Sequence, residues 1–187
     1  MEEIGQKPRI LYRRFRKEIN KIPSEYNVLG YKVYVMKTDI NEFLLNYDYQ
    51  HNYDPKNQLS CFGYPITFLF EKTNNFLNMK ITDMGEYPFK PPKIIFKDKN
   101  LMRHYCSNLF IKYKKHLEAP KNCCLVCSSV LSGSNWTCVT SFSQVFYEMI
   151  YNFINIKRAI EMLHMEKIVG RYTTGDTYLT DYMLSFI

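Results

Sequence analysis

The pattern of apolar and polar positions divides the chain into a helical start, a middle part typical of strands, and a helical end. The first apolar positions recur at helical spacing, at Ile10, Leu11, Phe15, Ile19 and Ile22. Basic residues fill the opposite face, Pro8 suits a first helical turn and Pro23 ends the pattern. This arrangement predicts an amphipathic helix over residues 9–21.

The middle part is typical of antiparallel strands. The candidate strands are residues 31–36, 43–49, 66–71, 76–82 and 93–96. The third and fourth flank the turn-forming sequence KTNN at 72–75 and predict a hairpin. The polar stretch at 51–58 predicts a loop. YPFKPP at 87–92 interrupts the sheet, because proline cannot donate a ladder hydrogen bond.

The helical end begins with a capping box, in which Ser141 is followed three positions later by Gln144. The apolar positions that follow keep one helical face: Phe142, Val145, Phe146, Met149, Ile150, Phe153 and Ile154. A further helical pattern comprises Ile156, Ala159, Ile160, Leu163 and Ile168 and ends at Gly170. Strands followed by helices predict the α+β class.

The length and the termini limit the kind of protein. A chain of 187 residues is long enough for one sizeable core, so we expect a single domain over residues 1–187. The sequence after Met1 does not resemble a signal peptide. No stretch approaches the ~20 apolar residues that cross a bilayer. We therefore expect a cytoplasmic or nuclear protein with no membrane partner and with reduced thiols.

The formal charge of +7 comes largely from two clusters. The first contains Arg9, Arg13, Arg14, Arg16 and Lys17, and the second contains Lys112, Lys114 and Lys115. A solvated face explains such clusters, and so does an acidic protein partner. Nucleic acid is the weaker candidate, because no zinc-finger, helix-turn-helix or RNA-binding motif accompanies the charge.

The stretch NCCLVCSSVL at 122–131 holds three cysteines within five positions. Cys124 and Cys127 have the spacing of one zinc knuckle, and the remaining ligands of a Cys/His site would come from His104, Cys106, His116 or Cys123. An alternative zinc site would use Cys106, Cys123, Cys124 and a histidine and leave Cys127 free. The knuckle does not repeat, so no metal site is assigned. Alternatively, one thiol is a nucleophile, or the cysteines are small buried residues, as we expect for Cys61 and Cys138.

Two segments of the chain carry a resemblance to a known family. The sequence YPFKPPKIIF at 87–96 is similar to the motif that ends the central meander of ubiquitin-conjugating enzymes. CSSVL at 127–131, Trp136 and TSFSQV at 140–145 resemble its active-site segment, where the nucleophilic cysteine precedes an aliphatic pair, a tryptophan and a helix start. The resemblance covers residues 8–155, with a basic insertion near 109–121. It implies an N-terminal helix, an antiparallel meander and C-terminal helices.

The resemblance also implies an activity. Cys127 would accept ubiquitin or a ubiquitin-like modifier as a thioester from an activating enzyme, and pass it to a substrate lysine or to a ligase. Sulfur suits this task, because its thiolate is strongly nucleophilic and the thioester stays reactive toward amines. No cofactor is implied, since the activating enzyme consumes the ATP.

The implied partner contacts lie on two surfaces. Helical residues Arg9, Arg13, Arg14 and Lys17 would meet an acidic domain of the activating enzyme. Phe89 in the proline-rich corner and the segment Thr137, Cys138 and Val139 would meet a ligase. Trp136 is expected to anchor the packing between these loops.

The chain departs from the family pattern upstream of Cys127. The usual His-Pro-Asn is replaced by His104-Tyr105-Cys106, where we expect His104 to be structural, and Asn108 and Asn122 lie at unusual distances. Donors such as that asparagine stabilise the oxyanion of acyl transfer, so charging of Cys127 is expected to survive better than lysine transfer. Two alternatives remain open: an inactive variant that binds ubiquitin or a ligase, and a zinc-stabilised interaction domain.

Overall fold

The computed structural model describes residues 6–44, 63–73, 75–82, 86–106 and 124–165, and the side chains of residues 13–161 within those ranges. The chain is α+β, as expected, with a sheet of six antiparallel strands in the described ranges. The helices are α1 Gln6–Lys21, α2 Leu101–Tyr105, α3 Leu125–Ser128 and α4 Phe142–Met165. The strands are β1 Glu25–Val28, β2 Tyr31–Lys37, β3 Tyr64–Phe70, β4 Asn75–Thr82, β5 Lys93–Phe96 and β6 Lys99–Asn100.

Helix α1 confirms the first predicted helix and begins three residues earlier than expected. Its apolar face packs into the core through the buried side chains of Phe15 and Ile19. The Lys37 ammonium donates to the carbonyls of Ile19 (2.8 Å) and Ile22 (3.0 Å). The Ile19 carbonyl also accepts the Ile22 N–H at 3.2 Å. The last carbonyls of a helix have no partner four residues further on, so a cation that binds there stabilises the helix end.

The sheet is a meander, because each strand pairs with the next one in sequence. The predicted hairpin is confirmed, with Phe68 of β3 opposite Leu77 of β4, and so is the strand at 93–96. Strands β1 and β6 were not predicted. They are short, and β1 has only two buried residues, Tyr26 and Val28, which give too little alternation to recognise a strand.

The turn between β1 and β2 consists of Leu29 and Gly30, both with positive φ (52° and 79°). This left-handed pair matches the twist of a tight hairpin but is unfavourable for leucine. The guanidinium of Arg158 on α4 donates to the Leu29 carbonyl at 2.6 Å, and Lys157 donates to the Tyr31 hydroxyl at 3.3 Å. Helix α4 thereby holds the turn in place.

The strand predicted over residues 43–49 is wrong at its start, since residues 40–44 are helical. Asp39 explains the difference, because its carboxylate accepts the backbone N–H groups of Asn41 (2.8 Å) and Glu42 (3.0 Å). A side chain that caps these first amides favours a helical turn over an extended chain. Residues 45–49, the predicted loop at 51–58 and the predicted insertion at 109–121 lie outside the described residues.

Helix α4 covers the inner face of the sheet. All seven apolar residues predicted for its first face are buried. Phe146 packs against Phe68 of β3 with ring centroids 5.0 Å apart, and Phe153 packs against Phe96 of β5 at 5.3 Å. The second helical pattern is not a separate helix, because α4 continues through Ile156 and Ile160 to Met165 without interruption. No helix in the described ranges is long and apolar enough to cross a membrane.

The capping box at the start of α4 forms as predicted. The Ser141 hydroxyl accepts the backbone N–H of Gln144 at 3.2 Å, and the side-chain Oε1 of Gln144 accepts the backbone N–H of Ser141 at 2.9 Å. Replacing Ser141 by alanine removes one acceptor and should lower the free energy of unfolding by about 1 kcal/mol. Ser141→Asp keeps an acceptor and is the matched control. Equal losses for both variants in urea unfolding would contradict the role given to the hydroxyl.

Candidate active site around Cys127

Cys127 lies on α3, a single helical turn with an exposed thiol at this position. Cys124 precedes the turn in an extended conformation (φ −83°, ψ 114°) and caps it, since its Sγ accepts the Cys127 N–H at 3.4 Å. The Cys124 carbonyl accepts the Ser128 N–H at 2.8 Å and closes the turn. The family resemblance implies Cys127 as the nucleophile, and the structure shows that this cysteine is exposed.

The backbone that follows Cys127 is fixed by Asn135. The side-chain amide of Asn135 donates to the Cys127 carbonyl at 2.6 Å and to the Ser129 carbonyl at 3.1 Å. The Ser132 hydroxyl donates to the same Cys127 carbonyl at 3.4 Å. An amide nitrogen has two protons, so Asn135 uses both to hold this segment.

Glu148 of α4 holds the next part of the segment. Its carboxylate accepts the Val130 N–H at 2.7 Å and hydrogen-bonds the buried side chain of Ser129. Burial raises the pKa of Glu148, and these two hydrogen bonds counteract the rise only in part. Ser129 also caps the following turn, because its hydroxyl accepts the Leu131 N–H at 3.1 Å. The Cys127 segment is therefore tied to the rigid helix α4.

Glu148 should make stability depend on pH. A carboxyl whose pKa is raised on folding keeps its proton longer in the native state, so its contribution is complete below pH 4.5 and is lost as pH rises through the raised value. Glu148→Gln removes the charge, so its unfolding free energy minus that of the wild type should increase with pH across this window. Urea unfolding of both proteins at several pH values measures the difference, and a difference that stays constant or decreases would refute the assignment.

Trp136 joins the cysteine segment to the proline-rich corner. Its side chain is buried, and its indole N–H donates to the Pro88 carbonyl at 2.8 Å. The ring lies 6.2 Å from that of Tyr87, the residue before the cis peptide bond to Pro88. Trp136 is thus a packing residue, as predicted, and it fixes the distance between two loops that carry exposed side chains.

These loops carry the two most exposed large hydrophobic residues described in the structure. Phe89 in the corner is 83% exposed, and Val139 is 79% exposed. Thr137 and Cys138 are exposed as well. The expectation that Cys138 is a buried hydrophobe is therefore wrong, because the turn at residues 137–140 directs it outward while Thr140 is buried.

The basic residues of α1 do not all face solvent. Arg13 and Lys17 are exposed, whereas Arg14 is half-buried and its guanidinium donates to the Cys138 carbonyl. Arg14 thus connects α1 to the loop that bears Val139, in addition to any contact with a partner. The Arg9 side chain lies outside the described residues.

The proposed zinc ligands are only partly described. Cys106 and Cys124 are exposed, but His104 is buried and its Nε2 hydrogen-bonds the Phe96 carbonyl at 2.8 Å, which supports its structural role. Within the described residues, no group of three or more His, Cys, Asp or Glu side chains could hold a metal ion. His116 and Cys123 lie outside those residues.

A groove of about 370 Å³ lies on the outer face of the sheet. Pro65, Phe76, Ile95, Lys97 and Asp98 line it together with neighbouring strand residues. None of its lining residues belongs to the cysteine segment or the proline-rich corner, so it is not part of the candidate active site.

The sequence did not reveal Asn135 or Glu148 as site residues. Asn135 lies in an irregular segment, where the sequence has no helical or strand periodicity from which the direction of a side chain could be predicted. Glu148 lies between the buried residues Val145 and Met149, at the border of the buried face of α4. An acidic residue at this border was the signal from which a site residue could have been predicted. The expected stand-ins Asn108 and Asn122 lie outside the described residues.

No protein-family model, curated protein or solved structure matches the chain.

Proposed function

We propose that the chain is a ubiquitin-conjugating enzyme that carries ubiquitin or a ubiquitin-like modifier as a thioester on Cys127. The observation that carries this proposal is the exposed thiol on a short turn whose flanking backbone is held by Asn135 and Glu148. A nucleophile must be accessible and its backbone must be fixed to present it in one direction.

The order of the elements supports the proposal. An N-terminal helix precedes an antiparallel meander, a proline-rich corner, a cysteine segment and a long helix. Trp136 binds the corner to the cysteine segment, which brings together the two sequence regions that carry the resemblance. The resemblance favours Cys127, and the exposure of this residue supports that choice.

The chemistry needs only the thiolate in its first step. The Cys127 sulfur attacks the thioester carbonyl carbon of the modifier, a new carbon–sulfur bond forms, and the thiolate of the activating enzyme leaves. In the second step a lysine amine attacks the same carbon and loses a proton to solvent, an amide forms, and the Cys127 thiolate is released. Asn135 already donates both amide protons to backbone carbonyls, so it acts as a positioning residue.

The partner surfaces follow from exposure and charge. Phe89 and Val139 are exposed apolar residues on two loops that Trp136 joins, which suits a hydrophobic ligase groove. Arg13 and Lys17 on α1 suit an acidic domain of the activating enzyme. The compartment we propose is cytoplasmic or nuclear.

A second candidate is a binding module of the same architecture without transfer activity. The exposure of Phe89 and Val139 favours it, because this apolar pair would bind a partner whether or not Cys127 reacts. The two candidates differ in a single property, the formation of a thioester.

Incubation with an activating enzyme, ATP and ubiquitin tests the proposal. A ubiquitin adduct that is stable without reductant and lost with dithiothreitol is expected. The adduct is then mixed with free lysine to measure transfer separately from charging. If no common modifier forms an adduct, the conjugating function is wrong and the binding module takes its place. One equivalent of zinc in the purified protein would instead support the zinc-stabilised domain.

A further inference from the structure

Cys124 caps the helical turn that carries Cys127, and both cysteines are exposed. The Cys124 Sγ is 3.4 Å from the backbone nitrogen of Cys127, so the first sulfur is already close to the residue that carries the second thiol. The hydrogen bond from the Ser128 N–H to the Cys124 carbonyl closes the turn between them. Residues three apart on a helical turn have Cα atoms about 5 Å apart, within the roughly 4.4–6.8 Å that a disulfide spans.

We propose that Cys124 and Cys127 form a dithiol site that low-molecular-weight disulfides convert to an intramolecular disulfide, which reversibly blocks the nucleophile. The regulatory part of this proposal rests on the proposed function, whereas disulfide formation does not. It also gives Cys124 a role beyond capping α3.

The reaction proceeds by two thiol–disulfide exchanges. The Cys127 thiolate attacks one sulfur of glutathione disulfide, a mixed disulfide forms, and one glutathione thiolate leaves. The Cys124 thiolate then attacks the Cys127 sulfur, the protein disulfide forms, and the second glutathione leaves. The two protein thiols lose two electrons and two protons, and one glutathione disulfide becomes two glutathione molecules.

The geometry favours the second exchange. Loop closure over so few residues costs little entropy when the turn is already formed, and only side-chain rotation is needed to bring the second sulfur to the first. Cys106 and Cys138 are exposed as well, but each lies in a different segment: Cys106 ends α2, and Cys138 lies in the loop bound by Arg14. They are the matched controls within the same protein.

The test uses the full chain without any modifier. The reduced protein is incubated with glutathione disulfide, residual thiols are alkylated, and the peptides are mapped by mass spectrometry. We expect a peptide that contains residues 124–127 with an internal disulfide and no bound glutathione. In Cys124→Ser the mixed disulfide should persist on Cys127, because the attacking thiol is gone while serine still caps the turn.

The controls define the outcomes. Cys106→Ser and Cys138→Ser should form the Cys124–Cys127 disulfide as the wild type does. A mixed disulfide that persists on Cys127 in the wild type, or a disulfide from Cys127 to any other cysteine, would overturn the proposal.

Charging with ubiquitin then tests the regulatory part. Oxidised protein should lose charging in proportion to the fraction that carries the disulfide. Reduction with dithiothreitol, followed by removal of the dithiothreitol before charging, should restore it. Unchanged charging of fully oxidised protein would overturn the regulation. If the reduced protein never charges but the disulfide forms, the conjugating function fails and the dithiol site stands.

Discussion

Cys127→Ala should abolish the reductant-sensitive ubiquitin adduct completely. The reaction requires a thiolate at this position, and alanine has no atom that can form the acyl bond. The residue is exposed, so removal of its sulfur creates no cavity and should leave the unfolding transition unchanged. A gel without reductant, compared with one run after dithiothreitol, measures the adduct.

Cys127→Ser provides a sharper version of the same experiment. An oxygen nucleophile forms an ester, which resists thiols, so any adduct should survive dithiothreitol and yield to hydroxide. Cys106→Ser and Cys138→Ser are matched controls at exposed cysteines and should charge as the wild type does. An adduct that persists in Cys127→Ala and disappears in one of the controls would transfer the nucleophile to that residue.

Trp136→Ala should produce the largest loss of stability among the residues near the site. The change removes a buried aromatic side chain, its contact with Tyr87 and the hydrogen bond to the Pro88 carbonyl. Truncation of a large buried aromatic costs about 3–5 kcal/mol, out of a total stability of about 5–15 kcal/mol. Urea unfolding followed by circular dichroism measures the loss, since this tryptophan is the only one in the chain.

Two variants separate packing from the hydrogen bond and from the surface. Trp136→Phe keeps a ring but removes the indole donor, so it should lose less than alanine, with about 1 kcal/mol assigned to the hydrogen bond. Phe89→Ala, at an 83% exposed position, should change stability by at most about 0.5 kcal/mol. A loss below about 1 kcal/mol for Trp136→Ala would mean that the corner and the cysteine segment are not joined through this ring.

Most of the fold was predictable because strong local signals determine it. Three features could be predicted from a few neighbouring residues alone: the capping box at Ser141, the apolar face that begins with Phe142, and the hairpin around KTNN. The error at residues 43–44 arose because aromatic residues suggested a strand, while the Asp39 carboxylate caps the first amides of a helical turn.

The candidate site was only half predictable. Cys127 could be selected by its position in the chain, and its exposure is consistent with a reactive thiol. Asn135 and Glu148 could not, because each one acts on a backbone group whose position depends on the fold. Arg14 was predicted as a partner contact, but its hydrogen bond to the Cys138 carbonyl was not. A sequence shows that a side chain can donate or accept, but the partner of a long-range hydrogen bond appears only after folding.

The meander has a consequence for synthesis of the chain. All six described strands precede α4, and the 65 residues from Leu101 to Met165 must still be made after β6 ends. At about 5–20 residues per second this takes several seconds. Strands that pair with their sequence neighbours form early, but the inner face that holds Phe68 and Phe96 waits for Phe146 and Phe153 to cover it. The growing chain therefore exposes an apolar sheet to the ribosome surface and to chaperones until α4 emerges.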